Sequence, residues 1–308
     1  EQLPLTPRES SAPYRLPIDR VFLKKGFGAV VTGTGLSGRI EEGEELRLFP
    51  SGAPVRVRGI QVHEEVRKSA SAGERTALNL AGVEGQDLKR GMVVASTQFP
   101  DPSPILDVHY RHLSGDRDLR SGARVRLLLG TTEVLAVADV ISEEGWVSPG
   151  QESWLQLRCE APVLALPEDR FVLRLESPLI TLGGGSVLDP WAPRFRTKNT
   201  TTAQDQLRRL QAGDHQVYAE RGGLAGLPQH TARERMGTAA DTLKVLGDRL
   251  LTKEQFDALT ERLLKDLRKA LEQQRLAKGI PKRSLRKSIF LELSPSAFDQ
   301  LIAQVAKE

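Results

Sequence analysis

Short stretches in which hydrophobic and polar residues alternate dominate the first two thirds of the chain. They are rich in Val, Leu and Ile and are separated by Gly and Pro, as in AVVTGTG, EELRLF, VRVRGIQV, TALNLAG, ARVRLLLG and RFVLRLE. A period of two is typical of strands with one buried face, and many short strands between turns are typical of small barrels or sandwiches. The proline-rich stretch TQFPDPSP cannot continue a central strand. We predict a linker at residues 1–13 and antiparallel β-barrels at residues 14–98 and 103–196.

The pattern becomes helical after residue 197. TAQDQLRRLQAG ends in a glycine, as many helices do, and PQHTARERMG and TAADTLKVLG read as two short helices. A long helix follows, with four leucines on one face, and then PKRSLRKSIF and SPSAFDQLIAQVAKE. One long and two short helices thus occur twice, which indicates a helix-turn-helix repeat, and DRLLT is a candidate strand pair. We predict a mainly β, then α chain with winged-helix repeats at residues 200–255 and 256–308, the second one incomplete.

The stretch GFGAVVTGTGLSGR contains Gly33-x-Gly35-x-x-Gly38, the spacing of a dinucleotide-binding loop. A phosphate cradle needs its glycines between a strand and a helix, so that backbone N–H groups point at the anion. Here the strand-like RIEEGEELRLF follows, and Arg39-Ile40 stands where a P-loop requires Lys-Ser or Lys-Thr. The glycines are therefore predicted to be turn and bulge positions in a tight barrel.

Composition adds limits on the compartment and the chemistry. A single cysteine, Cys159, excludes a disulfide framework and fits a reducing, cytoplasmic setting. His-Glu-x-x-His, Cys-x-x-Cys and Gly-x-Ser-x-Gly motifs are missing from the sequence, so no catalytic residue is predicted. The formal charge is +4, and the segment from Arg262 to Lys287 is strongly basic. That segment is interpreted either as an RNA contact or as a solvated spacer.

The stretch LPIDRVFLKKGFGAVVTGTGLSGRIEEGEELRLFP resembles the second domain of translational GTPases of the elongation factor Tu superfamily. The matching features are a Pro-Ile-x-x-Val-Phe strand, a Gly-x-Gly-x-Val-Val-Thr-Gly turn and a Gly-x-Ile-x-x-Gly-Glu hairpin, and the match continues through SAGERTALNLAGVEGQDLKRGMVVAS. EDRFVLRLESPLITLGGGSVLDP resembles the last strands of the third domain. Helical modules after that domain are typical of the selenocysteine-specific elongation factors within this superfamily.

The resemblance implies a translation factor that carries selenocysteyl-tRNA to the ribosome at recoded UGA codons. GTP and Mg²⁺ would be bound by a GTPase domain that precedes the first barrel in the family, so we expect this chain to be a fragment without it. An mRNA hairpin would be held by modules beyond the C-terminus. This chain would supply binding of the aminoacyl-tRNA.

The resemblance also implies where the aminoacyl group binds. In elongation factor Tu two acids follow the Pro-Ile of the first strand, whereas here Asp19 keeps one acid and Arg20 replaces the other with a cation. A selenol is mostly ionised at neutral pH, and a partly dry site with cations favours an anion. The hypothesis is that Arg20, Arg58 and His63 line a selenocysteyl pocket in which Asp19 holds the amino group. Candidate contacts to the tRNA backbone are Lys24, Lys25, Arg194, Arg196 and Lys198.

Two alternatives remain open at this stage. One is a DNA-binding regulator with winged helices and a β-rich ligand domain, since a helix-turn-helix can enter a major groove. Its candidate recognition helices offer Lys244 and Lys307 as their only cations, which argues against it. The other is a different tRNA-carrier GTPase of the same superfamily.

Overall fold

The structure, a computed structural model, describes residues 12–24, 28–115, 117–196, 199–273, 280–289 and 293–306. The chain divides into two compact units, Glu1–Gln204 and Asp205–Glu308. The first unit is built of antiparallel strands and the second mainly of helices. Among the described helices, none is both long and apolar enough to cross a membrane.

The first barrel is closed by six main strands in the order β4-β9-β1-β2-β8-β5, with β4 paired to β5. The strand β6 extends the sheet beside β5, and β3 pairs with β7 apart from it. The strands are β1 (Arg15–Lys24), β2 (Gly28–Thr34), β3 (Arg39–Glu41), β4 (Glu45–Phe49), β5 (Ala53–Val62), β6 (Glu65–Arg67), β7 (Ser69–Ser71), β8 (Arg75–Ala81) and β9 (Val93–Ser96).

The alternating pattern decides which face of these strands is buried. Ile18, Val31 and Leu78 come from three neighbouring strands and are fully buried in one cluster. Side chains one position away on each strand point outward, because successive residues of a strand face opposite sides. Apolar burial of this kind contributes roughly 1.5–3 kcal/mol for each large side chain.

The glycine-rich stretch lies within this barrel as predicted. Gly33 is in β2, and a Cβ there would lie 2.2 Å from the carbonyl oxygen of Pro17 on β1. Gly38 has a φ of +70° and a Cβ there would lie 2.4 Å from the carbonyl oxygen of Ala12. Strand β3 follows rather than a helix. These glycines therefore permit close backbone packing and a left-handed turn.

The second barrel is closed in the order β10-β15-β13-β12-β16-β17, and β11 pairs with β14 beside it. Three consecutive glycines in β17 let this strand approach its neighbours closely, since a Cβ on Gly185 would lie 1.8 Å from the carbonyl oxygen of His109. Cys159 is buried in β15. The strands are β10 (Ser103–His112), β11 (Leu119–Arg120), β12 (Ala123–Leu129), β13 (Thr132–Val140), β14 (Trp146–Val147), β15 (Glu152–Val163), β16 (Arg170–Leu175) and β17 (Thr181–Asp189).

The two barrels pack against each other within the first unit. Arg15 at the start of β1 donates two hydrogen bonds of 2.6 Å to the carboxylate of Asp169, in the loop before β16. Thr132 Oγ1 donates to the carbonyl oxygen of Gly91 at 2.6 Å. A small apolar cluster joins the barrels and consists of Phe49, Val93, Ala95, Phe99 and Leu164. These contacts fix one barrel against the other.

The second unit combines helices with a three-stranded sheet in the order β18-β20-β19. The stretch TAADTLKVLG, predicted as a helix, is instead a 3₁₀ turn at Gly237–Thr242 followed by β19. The elements from residue 200 onwards are α1 (Thr200–Gln211), α2 (Val217–Glu220), β18 (Leu227–Pro228), α3 (Gln229–Met236), β19 (Lys244–Leu246), β20 (Arg249–Leu251), α4 (Lys253–Gln273), α5 (Lys282–Ile289) and α6 (Pro295–Val305).

The hairpin of β19 and β20 packs directly against α6. The Gly247 N–H in its turn donates to Gln300 Oε1 at 2.7 Å, and a Cβ on Gly247 would lie 2.7 Å from the backbone of Ala297. Leu259 and Leu263 of α4 are buried in the same core as Phe298, and Leu267 packs partly against that core. Leu271, predicted on the same face, is 46% exposed.

Candidate functional site

Two β-bulges on opposite sides of the first barrel hold two of the predicted site residues. In the pairing of β1 with β2, Ile18 lies opposite Gly33 and Arg20 lies opposite the adjacent Thr32. Asp19 is therefore the extra residue of the bulge in β1. Arg58 is the extra residue of β5, where Val57 and Gly59 pair with adjacent residues of β8. A bulge changes the direction in which a side chain points and is frequent beside functional sites.

The Asp19 carboxylate is held on the outer face of the barrel. Thr32 Oγ1 donates to Asp19 Oδ1 at 2.7 Å, and Arg75 donates to both carboxylate oxygens. Three of roughly four acceptor positions are thus used, and the side chain is 23% exposed. Asp19 can therefore accept one more hydrogen bond from a cationic ligand.

A groove with a volume of about 540 Å³ lies next to this carboxylate. Thr32 lines the groove and also donates to Asp19, so the acid lies next to one of the lining residues. Phe22 and Leu23 form an exposed apolar wall. We call this the Phe22 groove; it is lined by Phe22, Leu23, Val30, Thr32, Gly59, Ile60, Gln61, Val66, Ala77 and Asn79.

Arg20 stands beside the groove, but Arg58 does not join it. Arg20 is exposed and pairs across the strands with Thr32, so the two side chains start on the same face. No residue in the described part of the chain forms an ion pair with it. The cross-strand row continues from Thr32 through Ala77 to Gln61 of β5. Three strand spacings, about 14 Å, therefore separate the row of Arg20 from β5.

Arg58 lines a second, open cavity of about 880 Å³ on the same barrel. This cavity lies between β5 and the β3–β7 pair. We call it the Arg58 bowl; its lining consists of Arg39, Glu41, Glu42, Gly43, Arg56, Val57, Arg58, Lys68, Ser69 and Ala81.

The remaining predicted site residues lie elsewhere. His63 is exposed in the turn between β5 and β6 with a φ of +50°, and it lines neither the groove nor the bowl. Arg194 and Arg196 are exposed in the segment after β17. Lys24 ends β1, whereas Lys25 and Lys198 fall outside the described residues.

Sequence reasoning missed Arg75, which binds Asp19 from β8. The two residues are 56 positions apart in the chain, and only the pairing of β1, β2 and β8 brings them together. It also missed Lys89 and Arg90, which line a cavity of about 380 Å³ between the two barrels. The pair of adjacent cations in DLKRGM was the available signal.

Family models of known protein domains match both barrels. A family model for elongation factor Tu domain 2 matches residues 28–95. A family model for the beta-barrel domain of selenocysteine-specific elongation factor matches residues 107–194. The first unit therefore holds two antiparallel barrel domains of the translational elongation factor class.

Two similar proteins are selenocysteine-specific elongation factors. The chain is 36% identical over 258 residues to a selenocysteine-specific elongation factor of Desulfomicrobium baculatum, a match that covers 82% of this chain and 40% of that protein. It is 32% identical over 228 residues to the one of Escherichia coli (strain K12), covering 72% and 35%. The chain is thus a homologue of the selenocysteine-specific elongation factors and spans less than half of these relatives' length.

A solved structure shares the fold. The crystal structure of bacterial selenocysteine-specific elongation factor EF-Sec matches with a TM-score of 0.77 at 23% sequence identity. The match covers 96% of this chain and 48% of that chain. At this level of identity the likeness concerns the fold.

Proposed function

We propose that this chain is the tRNA-binding part of a factor that delivers selenocysteyl-tRNA to the ribosome. The observation that carries the proposal is an acid, Asp19, and a cation, Arg20, that both neighbour Thr32 in the lining of an apolar groove. Arg20 has no ion-pair partner among the described residues. In the Phe22 groove the terminal nucleoside of the tRNA packs against the wall formed by Phe22, since stacking on an aromatic ring contributes roughly 1–3 kcal/mol per base. Its volume of about 540 Å³ is in the range of ligand pockets.

Asp19 and Arg20 contact different parts of the aminoacyl group. Asp19 accepts a hydrogen bond from the amino group at its remaining acceptor position, and Arg75 fixes the orientation of the carboxylate. Arg20 faces the ionised selenocysteyl side chain, where a charge-assisted hydrogen bond is worth about 1.5–3 kcal/mol. A seryl group has no negative charge, so Arg20 contributes less to the binding of seryl-tRNA.

The test measures the affinity of the 308-residue chain for selenocysteyl-tRNA and seryl-tRNA. Arg20→Ala is expected to lower the preference for selenocysteyl-tRNA about 10-fold. Arg58→Ala is the matched control, because Arg58 lines a different cavity, and His63→Ala tests the other predicted pocket residue. Equal losses for both tRNAs in Arg20→Ala would reject a role in recognising the selenolate.

Contacts to the tRNA backbone extend the site over the first unit. Lys89 and Arg90 line the cavity between the barrels, and Arg194 and Arg196 are exposed after β17. We infer that they bind phosphates without reading the sequence. GTP and Mg²⁺ are assigned to a GTPase domain by family, and the mRNA hairpin to further modules.

The second unit contributes the start of the helical extension. α1, α3 and the sheet β18-β20-β19 follow the order of a winged helix. The tip of its hairpin at Gly247 is covered by α6, and Lys244 lies over the ring of Phe256 at 4.3 Å. The hairpin tip is therefore not free to enter a DNA groove, whereas Lys244 is exposed and contacts an aromatic ring. This packing argues against the alternative of a DNA-binding regulator, for which tight binding of random duplex DNA at moderate salt would be required.

A further inference from the structure

One side-chain amide in the lining of the Phe22 groove has an oxygen without a hydrogen-bond partner. Asn79 lies in β8 and lines the groove. Its Oδ1 atom is shielded from solvent, and no described residue donates a hydrogen bond to it. Buried polar atoms are usually hydrogen-bonded, because an unpaired one destabilises the fold. A donor on a ligand of the groove is therefore the candidate partner of this oxygen.

The strand pairing places Asn79 in one row with the aromatic wall of the groove. Phe22 of β1 lies opposite Val30 of β2, and Val30 lies opposite Asn79. Side chains in such a row point to the same face of the sheet. Phe22 and Asn79 are two strand spacings apart, roughly 10 Å, with Val30 between them. A planar base packed over Val30 thus lies between the Phe22 ring and the Asn79 amide.

Small residues leave space beside this amide. Gly59 continues the row on β5, opposite Asn79, and a Cβ on Gly59 would meet nothing within 4 Å. Ala77, two residues earlier on β8, adds only a methyl group to the groove. The last side-chain torsion of an asparagine is soft, so the Asn79 amide can turn its oxygen toward a ligand in this space.

The hydrogen-bonding groups of an asparagine amide match adenine among the purines. The amide oxygen accepts from the N6 amino group and the amide nitrogen donates to N7, which gives a bidentate pair. Guanine presents two acceptors, O6 and N7, along the same edge, so the oxygen of Asn79 would stay without a donor. A site with a buried acceptor rejects an analogue that leaves this acceptor unpaired.

We propose that Asn79 is the residue through which the Phe22 groove selects adenine as the terminal base of the bound tRNA. This inference rests on the proposed function, because it names the base that is recognised in the same groove. Thr32, which holds Asp19 and lies opposite Arg20, is two residues from Val30 on β2, roughly 7 Å away. The base and the aminoacyl group are therefore recognised by separate, adjacent parts of one groove.

The experiment measures the affinity of the 308-residue chain for seryl-tRNA that ends in adenosine, in guanosine or in purine riboside, which lacks the N6 amino group. The wild-type chain should prefer adenosine about 10-fold over each of the other two. Asn79→Leu keeps a side chain of similar size without the amide and should bind all three tRNAs equally. A residue with a purely structural role would not change this preference.

The matched control is Gln86→Leu, which removes an exposed amide of the same barrel that donates to Glu84 outside the groove lining. This variant should keep the preference for adenosine. Equal affinities of the wild-type chain for the three tRNAs, or a preference that persists in Asn79→Leu, would overturn the role of Asn79.

Phe22→Ala separates this outcome from a failure of the proposed function. It should weaken the binding of the adenosine-ending tRNA about 10-fold, because it removes the stacking surface. A loss in Phe22→Ala without any preference for adenosine in the wild-type chain rejects only the role of Asn79. An unchanged affinity in Phe22→Ala counts against the groove as the site of the terminal nucleoside, and with it against both proposals.

Discussion

The ion pair of Arg15 and Asp169 provides a quantitative test of how the two barrels are held together. Arg15 is 7% exposed, and both of its hydrogen bonds to the Asp169 carboxylate are 2.6 Å long. Asp169 Oδ2 also accepts a hydrogen bond of 2.8 Å from the Leu166 N–H. Asp169→Ala leaves a buried guanidinium without its anion and a backbone N–H without its acceptor.

The magnitude follows from the burial of the pair. Removing one partner of a buried ion pair costs about 3–5 kcal/mol. The Asp169 side chain is 15% exposed and therefore not fully buried. We expect a loss at the lower end of this range, about 3 kcal/mol. For a unit of this size each kcal/mol shifts the melting temperature by about 2–4 °C. The melting temperature of the first unit should therefore fall by roughly 6–12 °C.

Thermal unfolding followed by calorimetry measures this shift, and Asp101→Ala is the control. Asp101 also pairs with an arginine, Arg47, but its side chain is 83% exposed. Exposed pairs contribute less than about 1 kcal/mol, so the control should shift the melting temperature by no more than a few degrees. Equal shifts for the two variants would refute the reasoning that burial makes the pair at Asp169 strong.

Three further predictions concern packing and reactivity. Gly185→Ala should cost about 3 kcal/mol, because its Cβ would lie 1.8 Å from the His109 carbonyl oxygen; chemical denaturation against Gly115→Ala, which meets nothing within 4 Å, measures the difference. Gly247→Ala should unfold the second unit at lower denaturant than wild type, since φ is +62° and α6 blocks the Cβ. Burial raises the pKa of the Cys159 thiol to about 12, so a thiol reagent at pH 8 should label it only after unfolding. Stability should fall between the pKa of the unfolded thiol and pH 12, because the unfolded state loses its proton first.

The barrels could be predicted from the sequence because several strands, such as β2 and β8, alternate and their burial follows that alternation. The glycine-rich stretch could also be interpreted, since no helix follows it. Lys244–Leu246 was predicted as part of a helix and is a strand. A segment of three residues is too short for its periodicity to distinguish a helix from a strand. Pairing with β20 makes this segment a strand.

The candidate site was harder to predict, because it depends on bulges. Simple alternation places Arg56 and Arg58 on the outer face of β5. It does not show that Arg58 is an extra residue, which shifts the strand pairing so that Gln61 lies opposite Ala77. Gly59 beside it was a signal, since an isolated glycine in a strand pattern often marks a bulge. The partner of Asp19 could not be foreseen, since strand pairing rather than sequence distance brings Arg75 to it.

Arginines on the outside of the two barrels separate into two groups, and this separation can be tested. On the second barrel Arg158 donates to Asp139 at 2.6 Å, and this hydrogen bond raises the pKa of Arg158. Arg20 and Arg58 have no such partner in the described part of the first barrel. An exposed cation without a partner contributes little to stability, whereas a lost hydrogen bond to a charged group costs about 1.5 kcal/mol.

Arg158→Ala should therefore lower the free energy of unfolding by about that amount, while Arg20→Ala and Arg58→Ala should leave it within about 0.5 kcal/mol of wild type. Urea denaturation measures all three, and a loss of stability in Arg20→Ala or Arg58→Ala equal to that of Arg158→Ala would show that the substituted residue stabilises the fold.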